Sequence, residues 1–380
     1  MANQDFSRTL GHAGQSGFNR SQQWFARIHL DLPLLLLILI LAGSGLFVLY
    51  SSSGSNLAMT QKQMMHFLIG FTALFIAAQL PPRFYASVAP WFYLLCLLGL
   101  VAVLLFGVGA KGAQRWLDLP GLPRFQPSEL MKLAVPLTVV WFLAKRSIPP
   151  KFSDLIKSFI IILLPTLLIL KQPDLGTAIL ILATGMSVMF FAGMSWRIIF
   201  SLAALAAAIA PMMWLFVMRD YQKARVLTFL SPESDPLGSG WNIIQSKTAI
   251  GSGGLQGKGW LMGSQSQLEF LPEGHTDFII AVLAEEFGFV GVVLLLSLYF
   301  LILLRALYLA ANCETLFGRL LSASVIVAFF IYIFVNIGMV SGILPIVGIP
   351  LPLVSYGGTS VISLLTAFGI LMSMCTHKRN

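Results

Sequence analysis

The chain has 380 residues, of which 57% are hydrophobic and only 10% charged, against about 25% charged residues in a soluble globular domain. The formal net charge of +9 does not mark a nucleic-acid partner, because Lys and Arg are dispersed at the ends of apolar runs instead of clustered. Cys96, Cys313 and Cys375 lie far apart, in or beside apolar runs; their spacing fits no zinc site and predicts no disulfide framework.

Residues 1–29 are polar and include Arg8, Arg20 and Arg27. The apolar run that follows, from about Leu30 to Tyr50, is too long for a signal-peptide core of about 7–15 residues and reads as a retained first span. Apolar runs of about 18 or more residues recur along the chain. They predict an all-α polytopic membrane protein of ten transmembrane helices, starting near Leu30, Gln63, Tyr85, Ser128, Phe152, Leu175, Arg197, Thr276, Leu316 and Pro345. With the N-terminus inside, the short loops on that side and the termini hold thirteen Lys and Arg against five in the short loops outside, so both termini are expected in the cytoplasm. The expected organisation is a cytoplasmic segment 1–29, a membrane domain 30–376 and a cytoplasmic tail 377–380.

Two connections are not short. Residues 219–275, between spans seven and eight, form a large loop expected outside, with Trp241, Ile243, Ile244, Trp260 and Phe270 available to fold back and bury surface. Residues 108–127 form a second outside segment with Arg115, Trp116 and Arg124. Between the last two spans, Gly342, Pro345, Gly348, Pro350 and Pro352 predict broken helices or a re-entrant loop, tolerable only where protein or water satisfies the backbone. No internal repeat is evident, which weakens an inverted-repeat transporter reading.

"GSGGLQGKGW", Gly251 to Trp260, resembles a phosphate loop but fails its pattern: Ser252 stands where the first Gly belongs and Gly259 where Ser or Thr belongs. A flexible or tightly turned loop is expected instead. In "RFQPSELMKLA", Gln126 precedes a helix that Pro127 and Ser128 open, and Glu129 and Lys132 share a face three residues apart. Ionisable groups in a span mark a functional site by default. Two readings stay open here: a structural ion pair, or Lys132 facing an anionic substrate with Glu129 positioning it. In "KQPDLGT", Pro173 breaks the helix and Asp174 either caps the next span or serves a site directly.

"EFLPEGHTDFII", Glu269 to Ile280, ends the large loop. Thr276 or Asp277 could cap the eighth span. Asp277 also stands at the outer surface beside His275, where partial desolvation can tune a carboxylate as a general base. Glu285, about 12 Å deeper and turned roughly 80°, could line the same cavity; Glu286 points away and suits packing. His275 suits a hydrogen-bonding orienter, because no second His lies at metal-ligand spacing.

Together these segments resemble the SEDS family (shape, elongation, division and sporulation). The matching stretches are "KGAQRWLDL" at Lys111, "RFQPSE" at Arg124, "QPDLGT" at Gln172, "DPLGSGWNIIQSK" at Asp235, "AIGSGGLQGKGW" at Ala249, "LEFLPEGHTDF" at Leu268 and "NIGMVSGILPIVGIPLPLVSYGG" at Asn336. "PESDPLGSG" at Pro232 is more similar to the elongation branch than to the division branch. The resemblance implies a peptidoglycan glycosyltransferase that polymerises lipid II outside the cytoplasmic membrane of a bacterium. It also implies a class B penicillin-binding protein as transpeptidase partner, alongside other proteins of the elongation complex. The family's essential loop aspartate falls on Asp277, and its Glu and Lys of the fourth span fall on Glu129 and Lys132.

The implied chemistry fits the residues. The polyprenol of lipid II needs a groove between spans. Its pyrophosphate needs cations, for which Arg115, Arg124, Lys132 and Lys247 are candidates, with Gln126, Ser128, Asp174 and His275 as polar neighbours. The attacking sugar hydroxyl needs a base, which Asp277 can supply, and direct displacement would turn an α-linked donor into a β-linked polymer. No cofactor is evident in the sequence; a divalent cation, Mg²⁺ or Mn²⁺, could neutralise the pyrophosphate. Two rival readings remain: a lipid-precursor flippase or transporter, and a non-catalytic scaffold of the cell-wall machinery.

Overall fold

The structure is a computed structural model that describes residues 28–110, 113–118, 125–218, 223, 227, 239–267 and 273–377. Its helices, in chain order, are α1 (Leu32–Ser52), α2 (Leu57–Gln79), α3 (Pro82–Phe106), α4 (Pro127–Leu143), α5 (Phe152–Lys171) and α6 (Leu175–Phe191). There follow α7 (Trp196–Met212), α8 (Ser239–Gly253), the one-turn α9 (Ser264–Gln267), α10 (Ile279–Ala311), α11 (Leu316–Val340) and α12 (Thr359–Thr376). A small antiparallel hairpin, β1 (Val108–Ala110) and β2 (Ala113–Trp116), follows α3. The sequence pattern did not predict it.

Among the described residues seven helices are long and apolar enough to cross a membrane: α1, α3, α5, α7 with the π-helical turn that extends it, α10, α11 and α12. The apolar α6 is shorter. The chain is a multi-pass, helical membrane protein. Reaching the expected ten spans requires α2, α4 and α6 to cross as well.

Helix starts follow local chemistry. Asp31 caps α1 through the Leu34 N–H at 2.9 Å, and Asn56 caps α2 through Met59 at 3.2 Å. The last helix starts at Thr359, not near Pro345, because Pro345, Pro350 and Pro352 lack the N–H that a helix interior requires. The eighth span starts at Ile279 with Phe278 as its cap residue, so neither Thr276 nor Asp277 caps it.

The core has two halves. One packs Leu34, Ile38 and Leu41 of α1, Phe67 and Leu74 of α2, Phe329 of α11 and Phe368 of α12 around the buried start of α10. The other packs Leu100 of α3, Met131 and Val135 of α4, Ile162 of α5 and Ile181 of α6. Helices α11 and α12 border both. Small residues allow the closest approaches: a β-carbon on Gly369 of α12 would overlap the Leu74 carbonyl of α2.

The sequence expected an independent loop at 251–260. The structure instead docks that stretch onto a break in α10. Gly288 has φ +64° and ψ −161° and interrupts the helix. The freed carbonyls of Glu285 and Glu286 accept from the N–H groups of Lys258 and Gly259 at 3.0 Å, and Phe289 and Val290 donate to Gly254 and Leu255 at 2.9 and 3.1 Å. Glu285 therefore does not line a cavity with Asp277. It is fully buried and binds Lys258 Nζ at 2.7 Å and the Gln265 N–H at 3.0 Å. Glu286 accepts from Ser51 Oγ of α1, in keeping with a packing role.

A second departure concerns cysteine. Cys313, just past α10, and Cys375, in α12, form a disulfide pair with Cα atoms 4.5 Å apart, because the C-terminal ends of α10 and α12 meet at one end of the bundle. Their separation of 62 residues carried no sign of this. Cys96 is free and buried.

The clasp yields a test. A β-carbon on Gly288 would overlap the Gly257 nitrogen, and its φ/ψ region admits little but Gly, whereas Gly251 in α8 has open space around it and no positive φ. Gly288→Ala should cost about 1–3 kcal/mol or more and lower the thermal midpoint in detergent clearly below that of Gly251→Ala. Equal midpoints would contradict the clasp.

Candidate active site

Helices α4, α6, α10 and α12 all begin, and α11 ends, at the end of the bundle where the irregular segment 341–358 lies. Most candidate residues fall there, in three groups.

The first ties the hairpin to two helix starts. Asp174 caps α6, accepting from the Thr177 N–H at 3.3 Å, so the capping reading holds. Gln126 Nε2 donates to Asp174 Oδ2 at 2.9 Å. Arg115 donates to the Pro173 carbonyl and lies 3.9 Å from Asp174. Arg115, Gln126 and Asp174 thus tie the hairpin to the starts of α4 and α6. Ser128 is buried at 1% exposure, and its Oγ has no hydrogen-bond partner. Arg124 lies outside the described residues.

The second group is the buried pair. Lys132 Nζ donates to Glu129 Oε1 at 2.6 Å and to the Tyr332 hydroxyl of α11. Glu129 Oε2 accepts from Ser363 Oγ of α12 at 3.0 Å. The pair thus joins three helices, and Lys132 lines an apolar cleft, open to its surroundings, together with Leu133, Pro136 and Leu137 of α4, Val325 of α11 and Ala367 of α12. Such a cleft suits an aliphatic chain.

The third group surrounds Asp277, which is half-buried in the turn before α10. Its backbone carbonyl accepts from Asn336 Nδ2 at 2.8 Å. Gly348, at φ +79°, faces its carboxylate: a β-carbon there would stand 3.6 Å from Oδ2. His275 gives its carbonyl to the Tyr356 N–H at 3.0 Å, and the two rings meet edge-on at 6.5 Å. Lys247 of α8 is exposed, and its ammonium end lies against Gly342 in the same irregular segment. Asp277, His275 and Lys247 thus all border the irregular segment 341–358, Asp277 at Gly348, His275 at Tyr356 and Lys247 at Gly342.

The groups are linked. Tyr332 and Asn336 stand four residues apart on one face of α11, about 6 Å along its axis, so the Lys132 network lies about one turn inside the Asp277 turn. Val347 and Ile349 pack on Gly176, in the first turn of the helix that Asp174 caps. The sequence reading missed Tyr332, Asn336, Ser355 and Ser363. A polar residue inside an apolar run, such as Asn336 after Ile333, Phe334 and Val335, was the available signal. Among the described residues no three His, Cys, Asp or Glu side chains group as metal ligands.

Known proteins resemble this chain in sequence and in fold. The profile of a family described as "Cell cycle protein" (FTSW_RODA_SPOVE) matches residues 31–380. The chain is 52% identical over 361 residues to the peptidoglycan glycosyltransferase MrdB of Escherichia coli (strain K12), covering 95% of this chain and 97% of that one. It is similar to the crystal structure of the rod shape determining protein RodA of Thermus thermophilus, with TM-score 0.69, 31% identity, and coverage of 90% of this chain and 95% of that one. A chain in a solved peptidoglycan synthase complex that coordinates polymerization and crosslinking aligns with TM-score 0.80 and 33% identity, covering 90% and 96% of the two chains.

The buried pair predicts an asymmetry in stability. Lys132→Ala leaves Glu129 buried without its cation, which costs about 3–5 kcal/mol, whereas the double change Glu129→Gln with Lys132→Gln removes both charges. The double variant should unfold at a higher temperature than the single one; the reverse order would contradict the pairing.

Proposed function

The chain belongs to the FTSW_RODA_SPOVE family, and from that premise we propose that it is a peptidoglycan glycosyltransferase that polymerises lipid II with Asp277 as general base. The observation that carries the reading is the Asp277 turn: a half-buried carboxylate held at the end of an apolar bundle, opposite a glycine, with the exposed cation of Lys247 on the same segment.

In this account residues 30–376 form a ten-span domain with both termini in the cytoplasm, and the end that carries Asp277 faces the periplasm. The polyprenol of the lipid-linked donor lies in the apolar cleft beside Lys132. The acceptor hydroxyl oxygen attacks the anomeric carbon of the donor and gives its proton to Asp277. The bond from that carbon to the pyrophosphate oxygen breaks, and the polyprenyl pyrophosphate leaves with the electron pair. Attack opposite the leaving group inverts the anomeric centre. Lys247 supplies positive charge where the pyrophosphate charge grows. A divalent cation, Mg²⁺ or Mn²⁺, belongs to this scheme only as a counter-ion that arrives with the pyrophosphate.

The partner is a class B penicillin-binding protein, which supplies the cross-linking step. The similarity of this chain to a subunit of a peptidoglycan synthase complex supports that pairing.

Asp277→Asn decides between this reading and its rivals. A flippase or a scaffold does not need the carboxylate as a base. The complex purified with its partner, with transpeptidation inhibited, is supplied with lipid II and the glycan product is measured. Loss of a general base should lower the rate by about 10²–10⁴-fold without releasing the partner. Near-normal polymer from a folded Asp277→Asn complex would sink the assignment.

A further inference from the structure

The turn that carries Asp277 is fixed at three consecutive carbonyls. The Tyr356 N–H donates to the His275 carbonyl at 3.0 Å, Ser355 Oγ to the Thr276 carbonyl at 2.5 Å, and Asn336 Nδ2 to the Asp277 carbonyl at 2.8 Å. None of these three bonds reaches the carboxylate; all of them act on the backbone beneath it.

Asn336 does more than close one of them. Its amide also donates to the Ile349 carbonyl at 2.7 Å, so both of its N–H donors are used. The residue is fully buried, and among the described residues its Oδ1 has no hydrogen-bond partner, so the bonds that fix the amide are those it donates. Ile349 follows Gly348, the residue whose backbone faces the Asp277 carboxylate. One side chain of α11 thus holds together the turn that carries the base and the strip of backbone opposite it. Ser355 is itself fixed: its Oγ accepts from the Leu351 N–H at 2.9 Å, and its carbonyl accepts from Gln63 Nε2 of α2 at 3.3 Å.

We propose that Asn336 and Ser355 are positioning residues for glycosyl transfer. They set the backbone of residues 275–277, and through it the direction of the Asp277 carboxylate, without touching substrate. A general base must stand within about 2.6–3.2 Å of the proton it takes, and a misplacement of about 1 Å can cost about a hundredfold in rate. A bond to the backbone carbonyl of the base residue controls that placement directly. The proposal rests on the reading of Asp277 as the base.

The test uses the complex with its partner and lipid II as substrate. In Asn336→Ala, kcat should fall about ten- to hundredfold, while KM for lipid II stays within about twofold of the parent. Ser355→Ala, a smaller deletion, should move kcat in the same direction by less, and it carries the test alone should Asn336→Ala not fold. Co-purification with the partner and the thermal midpoint establish how much of each variant is folded. Full kcat in the folded variants overturns the proposal. So does a loss confined to KM, or a loss that only tracks the folded fraction. Asp277→Asn in parallel keeps the two ideas apart. If it stays active, the base reading fails; if it is inactive while Asn336→Ala and Ser355→Ala keep full kcat, only the positioning role fails.

Discussion

Irregular backbone among apolar helices must find its hydrogen bonds inside the protein, because hydrocarbon offers none. That requirement shapes the functional end of this molecule. Segment 341–358 carries three prolines with no N–H to satisfy, which lowers the demand. Several of its donors find nearby partners: Ile343 and Leu344 return to the Gly338 carbonyl at 2.7 and 2.9 Å, and Leu351 donates to Ser355 Oγ at 2.9 Å. Two more, Ser355 Oγ and the Tyr356 N–H, are turned toward the Asp277 turn. The break in α10 obeys the same constraint, with the 254–259 strip supplying the bonds that Gly288 interrupts.

Charge follows the same logic. Lys132 and Glu129 are expensive in an apolar bundle unless each is neutralised and hydrogen-bonded. Tyr332 and Ser363 complete their shells and so fix α4 against α11 and α12. Helix α11 then serves both ends of the argument, with Tyr332 on the buried pair and Asn336 on the Asp277 turn one helical turn away. A shift of α11 along its axis would disturb the apolar cleft and the Asp277 turn together.

Much of this was legible in the sequence. Apolar run lengths identified a multi-pass helical protein, and the caps at Asp31, Asn56 and Asp174 follow from residue type. Asp277, Glu129 and Lys132 were visible as charges at or inside apolar runs, and Asp277, His275 and Lys247 all border segment 341–358. What stayed hidden depends on which distant segments meet. The Cys313–Cys375 pair, the Lys258–Glu285 bond and the Asn336–Asp277 contact join residues 27 to 62 positions apart or across separate helices, and no local pattern encodes them. Of the two readings of "GSGGLQGKGW", the tight turn holds, with positive φ at Gly254, Gly257 and Gly259; what stayed hidden is that its glycines allow close backbone approach to a broken helix. Arg115 was legible as a cation and Gln126 as its polar neighbour, but not their meeting with Pro173 and Asp174 at the start of α6.

The central claim is geometric: Asp277 is aimed, by bonds to its own backbone, at the hydroxyl that reacts. The most direct measurement is a cryo-EM structure of the complex with its partner, an unreactive lipid II analogue as donor and a short glycan as acceptor. The account predicts the acceptor hydroxyl oxygen within about 2.6–3.2 Å of an Asp277 carboxylate oxygen, directly or through one water, with the pyrophosphate on the Lys247 side. Both sugars bound with that hydroxyl against another carboxylate, such as Glu129 or Asp174, and Asp277 turned away would contradict it.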